Sequence, residues 1–186
     1  MTGTQQEISY IVREPREKNI ELAAKLFSMK QAHCSRRFHR QIPGYRMSPL
    51  QGLPNLATMF GVGGIWTKDE SSRLQLNSFK VLGGSFALYR YLQKQLGILG
   101  EDTPFAYLAS DEVKEKVGNL IFASATDGNH GRGIAWAAKR LGFKCVIYVH
   151  SETSVRRIDA IKSNGAKVVI VDGNYDDAVR QVAIDA

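Results

Sequence analysis

Between Leu120 and Ala186, short runs rich in β-branched residues alternate with amphipathic stretches of helical period. Leu120–Ala125 reads as a strand, and Gly131–Leu141 as a helix with Ile134, Ala138 and Leu141 on one face. Cys145–Val149 is a continuous apolar strand, Val155–Ser163 a helix closed by Asn164 and Gly165, and Lys167–Val171 a third strand. Asn174-Tyr175-Asp176-Asp177 then opens a last helix. This alternation feeds successive strands into one sheet in parallel, through right-handed crossovers. The class is therefore α/β, with open parallel sheets and flanking helices. The last helix meets no stop signal before Ala186, so the sequence reads as a truncated chain.

Ahead of that region the pattern is more mixed. Residues 17–41 predict one helix, with Ile20, Ala23, Ala24, Leu26, Phe27 and Met29 at helical spacing. It ends in the basic run Arg36-Arg37-Phe38-His39-Arg40 before Pro43-Gly44. Ser48-Pro49-Leu50 reads as a turn or extended segment, Leu53–Phe60 as a short helix with Pro54 in its first turn, and Ile65–Lys68 as a strand. Lys80–Leu96 predicts a helix whose stripe is Leu82, Phe86, Tyr89, Leu92 and Leu96, ended by Gly97 and Gly100. The polar stretch 101–119 reads as a helical connection between two lobes, 1–110 and 111–186.

The totals exclude several classes. The chain is 44% hydrophobic and 23% charged, as ordinary globular proteins are. No apolar run approaches the roughly 20 residues that span a bilayer, and the polar N-terminus lacks a signal-peptide core, so no membrane partner is expected. Cys34 and Cys145 lie far apart, without metal-ligand spacing. No disulfide scaffold and no metal are expected, and the expected location is a reducing cytoplasm. A net charge of +7 attracts anions, whether nucleic acid, acidic membrane or a phosphorylated cofactor. Phe38 among the cations at 36–40 would suit a nucleic-acid-binding fragment. A solvated helix end is the preferred reading, so no nucleic-acid partner is expected.

Two loops could carry chemistry. Ser124–Gly133 joins a strand to a helix, where ligands of parallel sheets bind. Gly128, Gly131 and Gly133 let backbone approach a ligand, and the helix N-terminus offers unpaired N–H groups to a carboxylate or phosphate. Their order is not that of a dinucleotide fingerprint, and no Walker pair follows. On composition alone, a ligand-free Gly-rich turn stands equal to an anion site. Asp127 would repel an anion there, unless it removes a proton or holds an ammonium group; the plain alternative is a solvent-facing turn cap. Lys80 opens its helix, where the dipole disfavours a cation, and a neutral amine is what condensation with an aldehyde needs. Most lysines are solvated surface charges. Here Phe79, Val81 and Leu82 are apolar, and Gly83-Gly84 removes bulk beside the amine at a helix cost of about 1 kcal/mol each.

Taken together, Asn77-Ser78-Phe79-Lys80-x-x-Gly-Gly and Asp127-Gly128-Asn129-His130-Gly131 resemble the fold-type II pyridoxal-phosphate enzymes. These include serine and threonine dehydratases, threonine synthase and cysteine synthase. Ser48-Pro49-Leu50 looks like the family's Thr-Pro-Leu, and Ile161-x-x-x-Gly165-Ala166-x-Val168 like its Ile-x-x-x-Gly-Ala-x-Val. Lys68-Asp69-Glu70-Ser71, the run from Thr126 to Ala138 and Asn174-Tyr175-Asp176-Asp177 are most similar to members that release ammonia from 2,3-diaminopropionate. Most dehydratases carry Ser at the place of Asp127.

The resemblance implies that Lys80 holds pyridoxal 5'-phosphate, that Phe79 packs near it and that Asn129 hydrogen-bonds its phenolic oxygen. It implies that Thr126, Asp127, Gly128, Asn129 and His130 hold the carboxylate of a small amino-acid substrate, and that Asp127 removes the Cα proton of one enantiomer. Residues 1–110 would begin the large cofactor domain and 111–186 form the small βαβ domain. The implied reaction is α,β-elimination giving pyruvate and ammonia, with serine or threonine dehydration as the alternative. The family's phosphate-gripping glycine loop falls beyond Ala186, and the full-length family member is a homodimer.

Overall fold

The computed structural model describes residues 20–100, 102–126 and 128–186. The chain divides into two compact units, Met1–Cys34 and Ser35–Ala186. In the first, α1 (Ile20–Leu26) precedes the start of α2 (Met29–Gln41). The single helix expected over 17–41 is thus broken at Phe27-Ser28, while 17–19 lie outside the described residues. Ser28 supplies the reason. Its hydroxyl accepts the Gln31 N–H at 3.4 Å, a cap that starts α2 afresh.

The second unit opens with β1 (Leu50–Gly52), α3 (Pro54–Phe60) and β2 (Trp66–Lys68). β1 and β2 pair antiparallel, with Leu50 opposite Lys68 and Gly52 opposite Trp66. The long α4 (Lys80–Gln95) follows. The expected helical connection is two short helices, α5 (Phe105–Leu108) and α6 (Asp111–Val117), the latter capped by the Ser110 hydroxyl.

Then come β3 (Ile121–Ala125), α7 (Asn129–Leu141), β4 (Lys144–His150), α8 (Val155–Lys162), β5 (Lys167–Val171) and α9 (Tyr175–Asp185). The strands form one parallel sheet in the order β3-β4-β5, with Ile121 opposite Lys144 and Val146 opposite Lys167. Side chains alternate across it. Cys145, Ile147 and Val149 join the main core, while Val146 and Tyr148 pack with Ala178 and Val182 of α9. Burial on both faces is why β4 reads as one apolar run. Burial also pushes the Cys145 thiol up to about 12, so this cysteine behaves as a small apolar residue. Asn174 and Asp177 start α9 with a reciprocal capping box.

α4 lies against α7, and its fully buried face runs through Val81, Gly84, Ser85, Leu88 and Leu92. Of the expected stripe, Tyr89 and Leu92 are fully buried, whereas Leu82, Phe86 and Leu96 are only half-buried. Glycines allow the rotation: Gly84 presents backbone to α7, so the contact forms on that side. Phe38 is 1% exposed and packs on Tyr89 at a ring separation of 4.3 Å, while Arg36, Arg37 and Arg40 stay exposed. The aromatic of the basic run is core and is not presented for base stacking. Among the described residues, no helix is long and apolar enough to cross a membrane.

Candidate functional site

The backbone ahead of Lys80 has an unusual shape. Leu74, Gln75 and Asn77 take left-handed φ angles of 46°, 62° and 55°. Each such angle costs a residue with a Cβ roughly 1–2 kcal/mol, although Asn bears it more easily. The turn delivers Ser78 to a position where its hydroxyl accepts the Lys80 N–H at 3.3 Å, and Leu82 N–H meets Phe79 O at 2.9 Å. Lys80 is the first residue of α4 and is exposed; Phe79, just before it, is 61% exposed.

A buried arginine anchors that turn. The Arg73 Nε donates to Glu70 Oε2 at 2.6 Å, and its Nη2 donates to Glu70 Oε1 at 2.9 Å and to Ser48 Oγ at 2.8 Å. Its Nη1 donates to Arg46 O, and the guanidinium lies 5.0 Å from the centre of the Tyr45 ring. The Ser48 hydroxyl donates to Glu70, and the Lys68 ammonium donates to Ser48 O. The Arg73 hydrogen bonds hold the Glu70 carboxyl down at about 2, against the opposing effect of burial.

The second loop leaves the sheet at Thr126, whose N–H still donates to Tyr148 O at 2.9 Å. Asp127 lies outside the described residues. A Cβ at Gly128 would meet nothing within 4 Å. α7 begins at Asn129 without a side-chain cap, so its leading N–H groups have no acceptor within the helix. Asn129 is exposed and His130 half-buried. Burial, and then the nearby charge of Lys80, lower the pKa of His130.

The other two glycines serve packing. A Cβ at Gly131 would lie 2.9 Å from Thr126 Cγ2 and 3.1 Å from Ile147 Cγ2. One at Gly133 would lie 2.9 Å from Val81 Cα. That contact presses the first turns of α7 and α4 together, and Arg132 Nη1 adds a 3.4 Å bond to Leu76 O. Lys80, Phe79, Gly128, Asn129 and His130 thereby gather where the two helices begin. A cavity of about 350 Å³ adjoins the loop, lined by Gly128, Asn129 and Arg132 and by Ser154, Arg156 and Arg157 at the start of α8. The left-handed run and the Glu70–Arg73 anchor carry no local sequence signal except Asn77, a residue that tolerates such angles. The residues present fit a phosphorylated aldehyde cofactor: an exposed amine, an open glycine, an exposed amide side chain and cationic surroundings.

A lysine at the head of one helix, close to a glycine-led strand–helix turn on a parallel sheet, is an arrangement suited to a carbonyl cofactor. Residues 42–185 match the family described as pyridoxal-phosphate dependent enzyme, and the chain belongs to that family. Over 158 residues it is 45% identical to the diaminopropionate ammonia-lyase of Salmonella typhimurium, covering 85% of this chain and 39% of that protein. The apo crystal structure of Escherichia coli diaminopropionate ammonia lyase superposes with a TM-score of 0.78 at 45% identity, covering 87% of this chain and 43% of the other. The complex of that enzyme with D-serine gives a TM-score of 0.79 at 44% identity, covering 87% of this chain and 40% of the other. The architecture is thus that of the fold-type II pyridoxal-phosphate enzymes, and the chain spans about two fifths of the length of the relatives it matches.

Proposed function

We propose that this chain is the lysine-bearing part of a pyridoxal-phosphate ammonia-lyase that converts 2,3-diaminopropionate to pyruvate and ammonia. The observation that carries this is the close approach of the helix that Lys80 opens to the helix that follows the Gly128 turn, at Val81 and Gly133, in a chain 45% identical to a diaminopropionate ammonia-lyase. Lys80 holds the cofactor through its amine, Phe79 packs beside it, and Asn129 donates to its phenolic oxygen. Bound pyridoxal phosphate supplies an electron sink for charge developing at the substrate Cα. The segment Thr126–His130 holds the substrate carboxylate. With the Thr126 N–H engaged by Tyr148, Thr126 contributes its hydroxyl, and Gly128, Asn129 and His130 contribute backbone at the dipole's positive end. Asp127 takes the Cα proton from one enantiomer, the β-amino group leaves with a proton as ammonia, and water then hydrolyses the released aminoacrylate to pyruvate and a second ammonia.

In the same proposal, residues 1–110 begin the large cofactor domain and 111–186 form the small one, in a cytoplasmic homodimer. The test is a titration with pyridoxal phosphate. A visible absorbance band grows in the wild-type chain and is missing in Lys80→Ala, because only that amine condenses with the aldehyde. Asp127→Asn keeps the band and loses turnover on one enantiomer of diaminopropionate. A full-length protein without the band overturns the assignment, and pyruvate from serine but not from diaminopropionate moves it to the dehydratases.

A further inference from the structure

We propose that Arg73 is a positioning residue for Lys80: paired with Glu70, it pins the turn through the left-handed residues Leu74, Gln75 and Asn77 and thereby sets where the lysine amine stands. The inference rests on Lys80 being the cofactor lysine. Unfavourable backbone angles persist only where the surroundings over-determine them. Three occur between Arg73 and Lys80. On the near side, each guanidinium nitrogen of Arg73 is engaged, by Glu70, Ser48 and Arg46 O, and the residue is 5% exposed. Arg46 and Ser48 lie more than twenty residues earlier, so the turn is tied to the segment that leads into β1. On the far side, Arg132 holds Leu76 O and Gly133 admits Val81 against α7.

The strained segment is thus fixed at both ends, and α4 starts in one place. Glu70 and Arg73 act on Lys80 only through backbone. A lysine at 73 would keep the charge yet lose the planar fork that serves three acceptors at once.

The experiment compares the wild-type chain with Arg73→Lys, Glu70→Gln and the milder Ser48→Ala. Two quantities are read. One is amide hydrogen exchange of 74–80 against that of β3, β4 and β5; the other is borohydride trapping of pyridoxal phosphate on the Lys80 peptide, by mass spectrometry. Arg73→Lys speeds exchange at 74–80 by roughly tenfold, the release of about one strained residue, while the sheet is unchanged. Trapping falls with it, Glu70→Gln moves both readouts the same way, and Ser48→Ala does so by less.

Unchanged exchange at 74–80, or wild-type trapping despite faster exchange, overturns the proposal. Should the Arg73 and Glu70 variants fail to fold, Ser48→Ala decides: a shift confined to 74–80 supports the proposal and none overturns it. A full-length protein that traps nothing on Lys80, while Arg73→Lys still frees 74–80, overturns the functional reading and leaves the anchor standing.

Discussion

Ahead of Lys80 the chain turns through Leu74, Gln75 and Asn77, all with side chains, and a buried arginine compensates for the awkward backbone. Behind Thr126 it turns at Gly128 and closes through Gly131 and Gly133, where the lack of a side chain lets backbone meet backbone. The first segment depends on polar bonds to fixed partners, the second on empty volume. They should therefore fail differently: the first to loss of a charge or a hydrogen-bond partner, the second to the addition of one carbon.

Arg73→Ala gives the largest expected loss. Removing one partner of a buried pair leaves Glu70 among groups arranged for a carboxylate facing a cation, and costs about 3 kcal/mol or more in urea unfolding. Gly133→Ala comes next, at about 2 kcal/mol, because its Cβ would lie 2.9 Å from Val81 Cα and 3.1 Å from Val81 N, backbone atoms that move only with the whole helix. If Gly133→Ala proves neutral, close approach is not what joins α7 to α4, and the contrast collapses.

Acid separates the two segments further. Burial lowers the pKa of both His39 and His130, and the neutral His39 donates its Nε2–H to Leu82 O at 2.8 Å. Both depressed values favour the neutral folded state, so stability falls as pH drops below the ordinary 6.5. Glu70, held at about 2, contributes stability that is complete above its ordinary 4.5 and is lost as pH falls through about 2. Melting temperatures should thus decline first below about pH 6.5, less so in His39→Gln, while the Arg73 anchor survives until much stronger acid. Loss of the slow exchange at 74–80 already near pH 5 would contradict that order.

Gly83→Ala has the smallest effect and the opposite sign. Nothing lies within 4 Å of a Cβ there, so the helix gains up to about 1 kcal/mol. A more stable chain that traps less pyridoxal phosphate would assign Gly83 to cofactor clearance. Equal trapping would leave it a weak point in a helix. Gly84 needs no such purpose, since its Cβ position lies 3.5 Å from Ile134.

Much of the second half was legible because its signals are local. Largely apolar runs bounded by turns mark β3, β4 and β5 to within a residue, and Asn174 with Asp177 announces the cap of α9. The placement of Lys80 at a helix head was legible too. The break at Ser28 was not, since serine is tolerable inside a helix and only its bond to Gln31 shows it acting as a cap. Nor was the antiparallel partnership of β1 and β2, three-residue strands too short to show a period.

The sequence by itself determined the parallel sheet, the head of α4 and, to within two residues (Gly131 expected, Asn129 found), the head of α7, because periodicity and capping act over a few neighbours. The tertiary structure alone decided that Gly131 and Gly133 serve packing while Gly128 stays open, that the buried face of α4 is centred on Val81 and Ser85, and that Arg73 sustains a left-handed backbone. Each of those depends on an atom far away in the chain: Ile147 for Gly131, Val81 for Gly133, and Arg46 and Ser48 for Arg73. Volume and hydrogen-bond partners at a distance leave no period in the sequence.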